Sequence, residues 1–328
     1  MLALTGRDVQ DLVPMSRAVE LMKTVFRDLS DGKTTSPLRT PVPVPEHDGV
    51  SLFMPAYVPS IEGLGMKVVS VFPRNQQLGK PTINAIVAVL DANTGEPAAL
   101  MDGTFLTALR TGAGAGAAAD LLARPDSKVV TCIGAGAQGL TQVWAVAAVR
   151  DVQRINIFDI NEEMRNSYAE RLSRYDQGLA EIVHPVTDLT AALAESDVVC
   201  TATTSSTPVY NHDDIRPGTH INAVGAFQPT MQEIPVETLQ NSYVVVDNVE
   251  AAIEEAGDLQ IPLNKGEIHR DLISVEVGHL VSGSAAGRTS DDQITFFKSV
   301  GNAVQDIIVA REAVAQAEKH GRGQQFEL

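Results

Sequence analysis

Apolar and polar positions along this chain keep two different rhythms. Residues 14–30, PMSRAVELMKTVFRDLS, repeat apolar side chains at helical spacing, and the leading proline suits a first helical turn. A polar, proline-rich connection is expected from there through Pro45. Three strand-like runs follow: VSLFMPAYV, GLGMKVVSVF and INAIVAVLDANTGEPAALMDG. In the last, NTG separates two apolar stretches and reads as a hairpin turn. This part of the chain predicts an antiparallel or mixed sheet. The alanine-rich stretch TALRTGAGAGAAADLLAR then reads as a helix, its glycines permitting close approach at a cost in propensity.

From Lys128 onward strands and helices alternate. KVVTCIG, RINIFD, SDVVCTAT, THINAVG, YVVVDN and ITFFKSVG read as strands. AQGLTQVWAVAAVR, NEEMRNSYAERLSRY and the long NAVQDIIVAREAVAQAEKH read as helices. Alternation of this kind predicts a mostly parallel sheet covered on both faces, hence an α/β fold. The final helix is expected to return to the first domain, and the tail GRGQQFEL to be mobile. The start, MLALTGRDVQDLVP, does not read as a secretory signal.

One strand runs into GAGAQG, residues Gly134, Gly136, Ala137, Gln138 and Gly139 among them. The glycines fit G-x-G-x-x-G between a strand and a helix, the context in which the pattern carries meaning. Gly134 would allow the tight turn, Gly136 the approach of a pyrophosphate, and Gly139 close packing of helix on strand. The helix N-terminus supplies free N–H groups for the phosphates. Asp159 ends the next strand, 20 residues beyond Gly139. A carboxylate there can accept both ribose hydroxyls of adenosine and repels a 2′-phosphate, so NAD is expected, with NADP as the weaker alternative. Thr203 and Ser205, in TATTSSTP, follow a strand and either approach a cofactor ribose or form an ordinary hydroxyl-rich loop. Val224 and Gly225, in NAVGAF, either lie against a nicotinamide or merely turn the chain.

Composition narrows the chemistry. With 41 acids against 25 bases the net charge is −16, which opposes binding to nucleic acid. No apolar run is long enough to span a membrane. The two cysteines, Cys132 and Cys200, sit in strand-like runs and read as buried thiols of a cytoplasmic protein. No HExxH, GxxxxGK[ST] or G-x-S-x-G pattern occurs, so no metal site, phosphate-loop enzyme or serine hydrolase is expected. Three basic residues stand in apolar or tightly turned surroundings: Arg39 in SPLRTPVP, Lys67 in GLGMKVVS and Arg110 in TALRTGAG. Such groups rarely enter a core without a partner. They could bind a substrate carboxylate and polarise an imine or carbonyl, or be unrelated salt-bridged residues.

Together these segments resemble the ornithine cyclodeaminase and mu-crystallin family over nearly the whole chain. The residues carrying the resemblance are FMPAY (53–57), GMKVV (65–69), LRTGAGAG (109–116), GAGAQG and DQITFFKSVGNAVQD (292–306). The resemblance implies a homodimer whose subunits hold a substrate-binding and dimerisation domain, here 1–118 with 300–328, and a Rossmann-type NAD-binding domain, here 119–299. It implies that Arg39 and Arg110 engage a carboxylate, that Lys67 contacts the reacting amino or imino acid, and that Thr111 and Gln138 hold the cofactor. Lys298 and Ser299 would come near the nicotinamide. Cyclodeaminases of the family carry an acid after the NAxG strand. Here NAVGAFQPTMQEI places Phe227 or Gln228 at that position, and the first acid is Glu233. The departure favours a reductase of cyclic ketimines, 1-pyrroline-2-carboxylate or 1-piperideine-2-carboxylate. The alternatives are alanine dehydrogenase or an open-chain imino acid reductase, ornithine cyclodeaminase, and a non-catalytic ligand-binding protein.

Overall fold

The structure, a computed structural model, describes residues 1–327 and divides into two compact units, 1–110 with 301–327 and Thr111–Val300. The first unit holds strands β1 (Leu2–Leu4), β2 (Thr40–Val44), β3 (Gly49–Val58), β4 (Gly63–Val71), β5 (Ile83–Asp91) and β6 (Pro97–Asp102). Helices α1 (Gly6–Leu12) and α2 (Met15–Ser30) lie between β1 and β2. A 20-residue helix, α3 (Gly103–Leu122), follows β6 and carries the chain into the second unit. The same first unit receives the final helix α13 (Ala303–His320) and strand β15 (Gln324–Gln325). Its sheet runs β15-β1-β6-β5-β4-β3-β2. The β1–β6 pair is parallel and the other pairs antiparallel, so the sheet is mixed.

The tail expected to be mobile instead adds this sheet's edge strand, and the connection before Pro45 contains β2. Strand β2 reads TPVPV, and its prolines are tolerated because only β3 pairs with it. Burial along β4 alternates, with Gly63, Gly65, Lys67 and Val69 on the buried face. That face packs on α13. A Cβ on Gly65 would stand 2.3 Å from the Ala88 carbonyl oxygen and 2.9 Å from Ile307 Cδ1, so the glycine lets helix and strand meet.

The second unit has an eight-stranded sheet of β7 (Val129–Ile133), β8 (Arg154–Phe158), β9 (Val183–Pro185), β10 (Val198–Thr201), β11 (His220–Ala223), β12 (Tyr243–Val246), β13 (Val275–Glu276) and β14 (Thr295–Lys298). All its pairings are parallel, in the order β13-β12-β14-β11-β10-β7-β8-β9. Helix α4 (Ala137–Ala147) follows β7. Shorter helices fill the other crossovers: α5 (Glu162–Asn166), α6 (Tyr168–Leu172), α7 (Gln177–Glu181), α8 (Leu189–Ala194), α9 (Val236–Gln240), α10 (Val249–Glu255), α11 (Gly257–Asn264) and α12 (Val277–Ser282). The single helix expected over NEEMRNSYAERLSRY breaks at Ser167 into α5 and α6. Two apolar clusters form the core, one around Cys132, Val143, Ile157 and Tyr168, the other around Ile221, Val244, Leu259 and Phe296. Sheet order reverses direction between β7 and β10, and ligands of such sheets bind at the carboxyl ends of the strands flanking that point.

Candidate active site

In the first unit Lys67 and Arg110 meet over one acid. Strand β4 aims Lys67 at the first turn of α13, where its Nζ lies 2.7 Å from Asp306 Oδ2. The other carboxylate oxygen, Oδ1, accepts from Arg110 Nε at 2.9 Å. Gln305 Oε1 lies 3.3 Å from Arg110 Nη1. Lys67 and Asp306 are fully enclosed, and Arg110 is buried. Arg39 reaches the same helix start, its Nη2 donating to the Gly301 carbonyl at 2.8 Å. Gly301 has φ +83°, and a Cβ there would stand 2.5 Å from Arg110 Nη1, so the glycine suits both the turn and the place of the Arg110 guanidinium. Asn302 caps α13 with its side chain on Val304 N, and Gln305 returns the bond from Asn302 N. The helix N-terminus further favours the negative charge of Asp306.

This environment changes Lys67. Burial penalises the ammonium most, the Arg110 charge adds to that penalty, and Asp306 opposes both; the amine is lowered to about 7. An amine of that pKa can donate a proton and regain it near neutrality. Asp306, which pairs with both cations, is the residue that sequence reasoning passed over. Its one signal was an acid in the buried, otherwise apolar face of AVQDIIVA.

In the second unit the three loop glycines have three different constraints. Gly134 has φ +105°, and a Cβ there would meet the Ala202 carbonyl oxygen at 2.6 Å. A Cβ on Gly139 would stand 2.1 Å from the Gly134 carbonyl oxygen, so α4 could not pack on β7. Gly136 faces open space within 4 Å of its Cβ direction, the cradle that a pyrophosphate would fill and a side chain would block. Ala137 and Gln138 begin α4 beside it, and Thr111 O accepts from Gln142 Nε2 at 3.3 Å. Asp159 is drawn onto this loop, Oδ2 accepting from Ala135 N at 2.7 Å and Oδ1 from Asn161 N at 2.8 Å. Its spare lone pairs suit a ribose diol. The residues therefore fit a bound dinucleotide.

On the other side of the switch point, Thr203 and Ser205 follow β10, while Val224 and Gly225 follow β11. Thr203 and Ser205 are half-buried, whereas Val224 and Gly225 are enclosed. Ser205 Oγ donates to Thr207 O at 2.6 Å. Lys298 does not reach the surface of the strand ends: its side chain is fully enclosed and its Nζ lies 2.7 Å from Asp258 Oδ2. Ser299 likewise donates to Asp247 Oδ2 at 2.7 Å. Both side chains are thus held by acids of the second unit at the end of β14. Phe227 is half-buried and Gln228 exposed, and the Glu233 carboxylate is committed to Thr201, Thr203 and Ala226. No group of three or more His, Cys, Asp or Glu able to hold a metal occurs among the described residues, nor any helix long and apolar enough to cross a membrane.

Parallel sheet, glycine turn and ribose acid define a dinucleotide-binding α/β protein carrying a separate cluster of basic residues. The chain belongs to the ornithine cyclodeaminase/mu-crystallin family, whose model matches residues 1–320. It is 39% identical over 329 residues to a Delta(1)-pyrroline-2-carboxylate reductase of Bacillus cereus, covering all of both chains. It also superposes on the Thermococcus litoralis Delta(1)-pyrroline-2-carboxylate reductase solved with NADH and L-proline, with TM-score 0.94, 40% identity and coverage of 99% of this chain and 100% of that one. An archaeal alanine dehydrogenase dimer with bound NAD superposes with TM-score 0.90, 33% identity and coverage of 100% and 99%.

Proposed function

We propose that this chain is an NADH-dependent reductase of cyclic ketimine carboxylates, forming L-proline from 1-pyrroline-2-carboxylate and L-pipecolate from 1-piperideine-2-carboxylate. The observation that carries the reading is the enclosed Lys67, lowered to about 7 between Asp306 and Arg110. A planar guanidinium matches a carboxylate, so Arg39 and Arg110 hold the acid group of the substrate. Lys67 then faces the imine and supplies its proton, which makes the ring C2 electrophilic. NADH, when bound, supplies the hydride that this carbon accepts. Asp306 keeps Lys67 charged often enough to act and keeps Arg110 oriented.

The pyrophosphate is held at Gly134, Gly136 and the start of α4, with Gln138 and Thr111 beside it. Asp159 takes the adenosine ribose, favouring NADH over NADPH. Thr203, Ser205, Val224 and Gly225 take the nicotinamide half, supported from below by Lys298 and Ser299. Phe227 supplies an apolar wall and leaves no acid to draw a proton from an ornithine amine, which favours simple reduction. The subunit pairs as a homodimer through the first unit, where Leu38, Val42, Tyr57, Ile83 and Ile86 are exposed.

The test is a parallel assay of purified protein with both cyclic ketimines, pyruvate plus ammonia, and L-ornithine. NADH oxidation that is strongest with a cyclic ketimine is expected. Proline and ammonia released from ornithine without net NADH consumption would replace the reading with cyclodeamination. Strong amination of pyruvate with negligible ketimine turnover would make the protein an alanine dehydrogenase.

A further inference from the structure

The three charged residues Glu233, Asp258 and Lys298 are fully enclosed in the second unit. The segment bearing Glu233 lies between β11 and α9, outside any regular element. Its carboxylate reaches both strand-end loops. Oε1 accepts from Thr203 N at 2.6 Å, while Oε2 accepts from Thr201 Oγ1 at 3.0 Å and from Ala226 N at 3.1 Å. Thr201 ends β10 and Thr203 follows it, while Ala226 follows β11. One side chain therefore ties two neighbouring strand ends together. The main chain of Glu233 is fixed in turn: its N–H and that of Ile234 donate to Asp258 Oδ1 at 2.6 and 3.1 Å. Asp258 Oδ2 accepts from Lys298 Nζ at 2.7 Å, so the third strand end, β14, joins the same chain of contacts.

Gly225 records how close this fit is. A Cβ there would stand 2.4 Å from Glu233 Oε2 and 2.4 Å from the Thr203 carbonyl oxygen. The glycine is required by the carboxylate beneath it. All three partners of the carboxylate are hydrogen donors, so both oxygens act as acceptors and no carbon or amide substitutes for them fully. A dinucleotide crosses the switch point of such a sheet; with adenosine on the β7–β8 side at Asp159, the nicotinamide half falls over β10 and β11.

We infer that Glu233 is a positioning residue for the nicotinamide half of the cofactor, its carboxylate clamping the loops after β10 and β11 in the arrangement that receives the ring. The inference rests on the dinucleotide site proposed above. The clamp acts on the loops after β10 and β11, of which only the first also borders the Gly134 turn, so its loss should weaken ligands that carry nicotinamide more than those that lack it.

The experiment compares NADH and ADP-ribose binding by calorimetry in the parent protein, Glu233→Gln and Thr201→Val. Glu233→Gln replaces one acceptor by a donor. Thr201→Val removes a single donor at nearly constant shape, and serves if the first variant does not fold. NADH affinity is expected to fall about tenfold or more in Glu233→Gln and about threefold in Thr201→Val, with ADP-ribose affinity falling clearly less in both. Equal weakening of the two ligands, or of neither, in a folded variant would overturn the clamp while leaving the cofactor site standing. A parent protein that binds neither ligand would overturn the site and the clamp with it.

Discussion

Neutralising Asp306 should move the basic limb of the reaction to lower pH. Asp306 opposes the two effects that depress Lys67, burial and the Arg110 charge. Its Oδ2 is 2.7 Å from the ammonium. At an effective dielectric of about 20, opposite charges about 4 Å apart attract by about 4 kcal/mol, a ceiling of about three pH units. Asparagine keeps one of the two oxygens as a neutral acceptor, so a downward shift of about one to two units is expected for Asp306→Asn. In the reductive direction protonated Lys67 is the active form. For the parent, kcat/KM should be level below about pH 7 and fall above it. In Asp306→Asn the fall should begin at lower pH, with a raised KM because Arg110 loses the charged partner that orients it. The assay is initial-rate NADH oxidation across pH at saturating cofactor, with a thermal melt to establish that the variant is folded. Removing one partner of a buried ion pair costs about 3–5 kcal/mol, so a lowered midpoint is part of the expectation. A substrate imine that titrates by itself would not feel Asp306. A limb that stays at the parent's pH in a folded variant would therefore refute Lys67 as the proton donor.

Lys67→Ala should bind NADH as the parent does, by fluorescence titration, while turnover falls about 100-fold or more. The same lysine sets a stability trend: its fall from 10.5 to about 7 costs about 5 kcal/mol, a penalty present in full below pH 7 and relieved as pH rises towards 10.5. Denaturant midpoints of the parent should therefore rise relative to Lys67→Met across that interval. Steady-state kinetics should give a higher kcat/KM with NADH than with NADPH, and Asp159→Ser should narrow the difference. Light scattering at micromolar concentration should report at least twice the 35.0 kDa chain mass, and a stable monomer would contradict the dimer.

Much of this architecture was legible in order along the chain, because its signals are local. Helical spacing marks α2 and α13, apolar runs mark β7, β8, β10 and β11, and GAGAQG sits where strand passes to helix. What was not legible depends on distant partners. LAL becomes β1 only because β6 and β15 flank it, and TPVPV becomes a strand only against β3. The α5–α6 break at Ser167 has no glycine or proline to announce it. The basic residues Arg39, Lys67 and Arg110 stood out because cations are unusual in such surroundings. The acids serving them did not. Asp306 lies 239 positions from Lys67 and 196 from Arg110 along the chain, and Glu233 is set in a polar segment that gives no hint of its enclosure. In a chain with 41 acids, only packing distinguishes these from the solvated ones.

Cys132 and Cys200 face each other in register on β7 and β10, both fully buried. Burial pushes the Cys132 thiol well up and that of Cys200 up to about 12. Alkylating reagents attack thiolate at an accessible sulfur, so neither native cysteine should react while the chain is folded. The protein is in effect already cysteine-free to a maleimide dye. Leu78→Cys or Ile160→Cys, at positions that are 67% and 95% exposed, would introduce the single labelling point. Fluorophores or spin probes could thus be attached at chosen surface sites with the native sequence otherwise intact, and slow uptake of dye by the unsubstituted chain would serve as a clock for its unfolding.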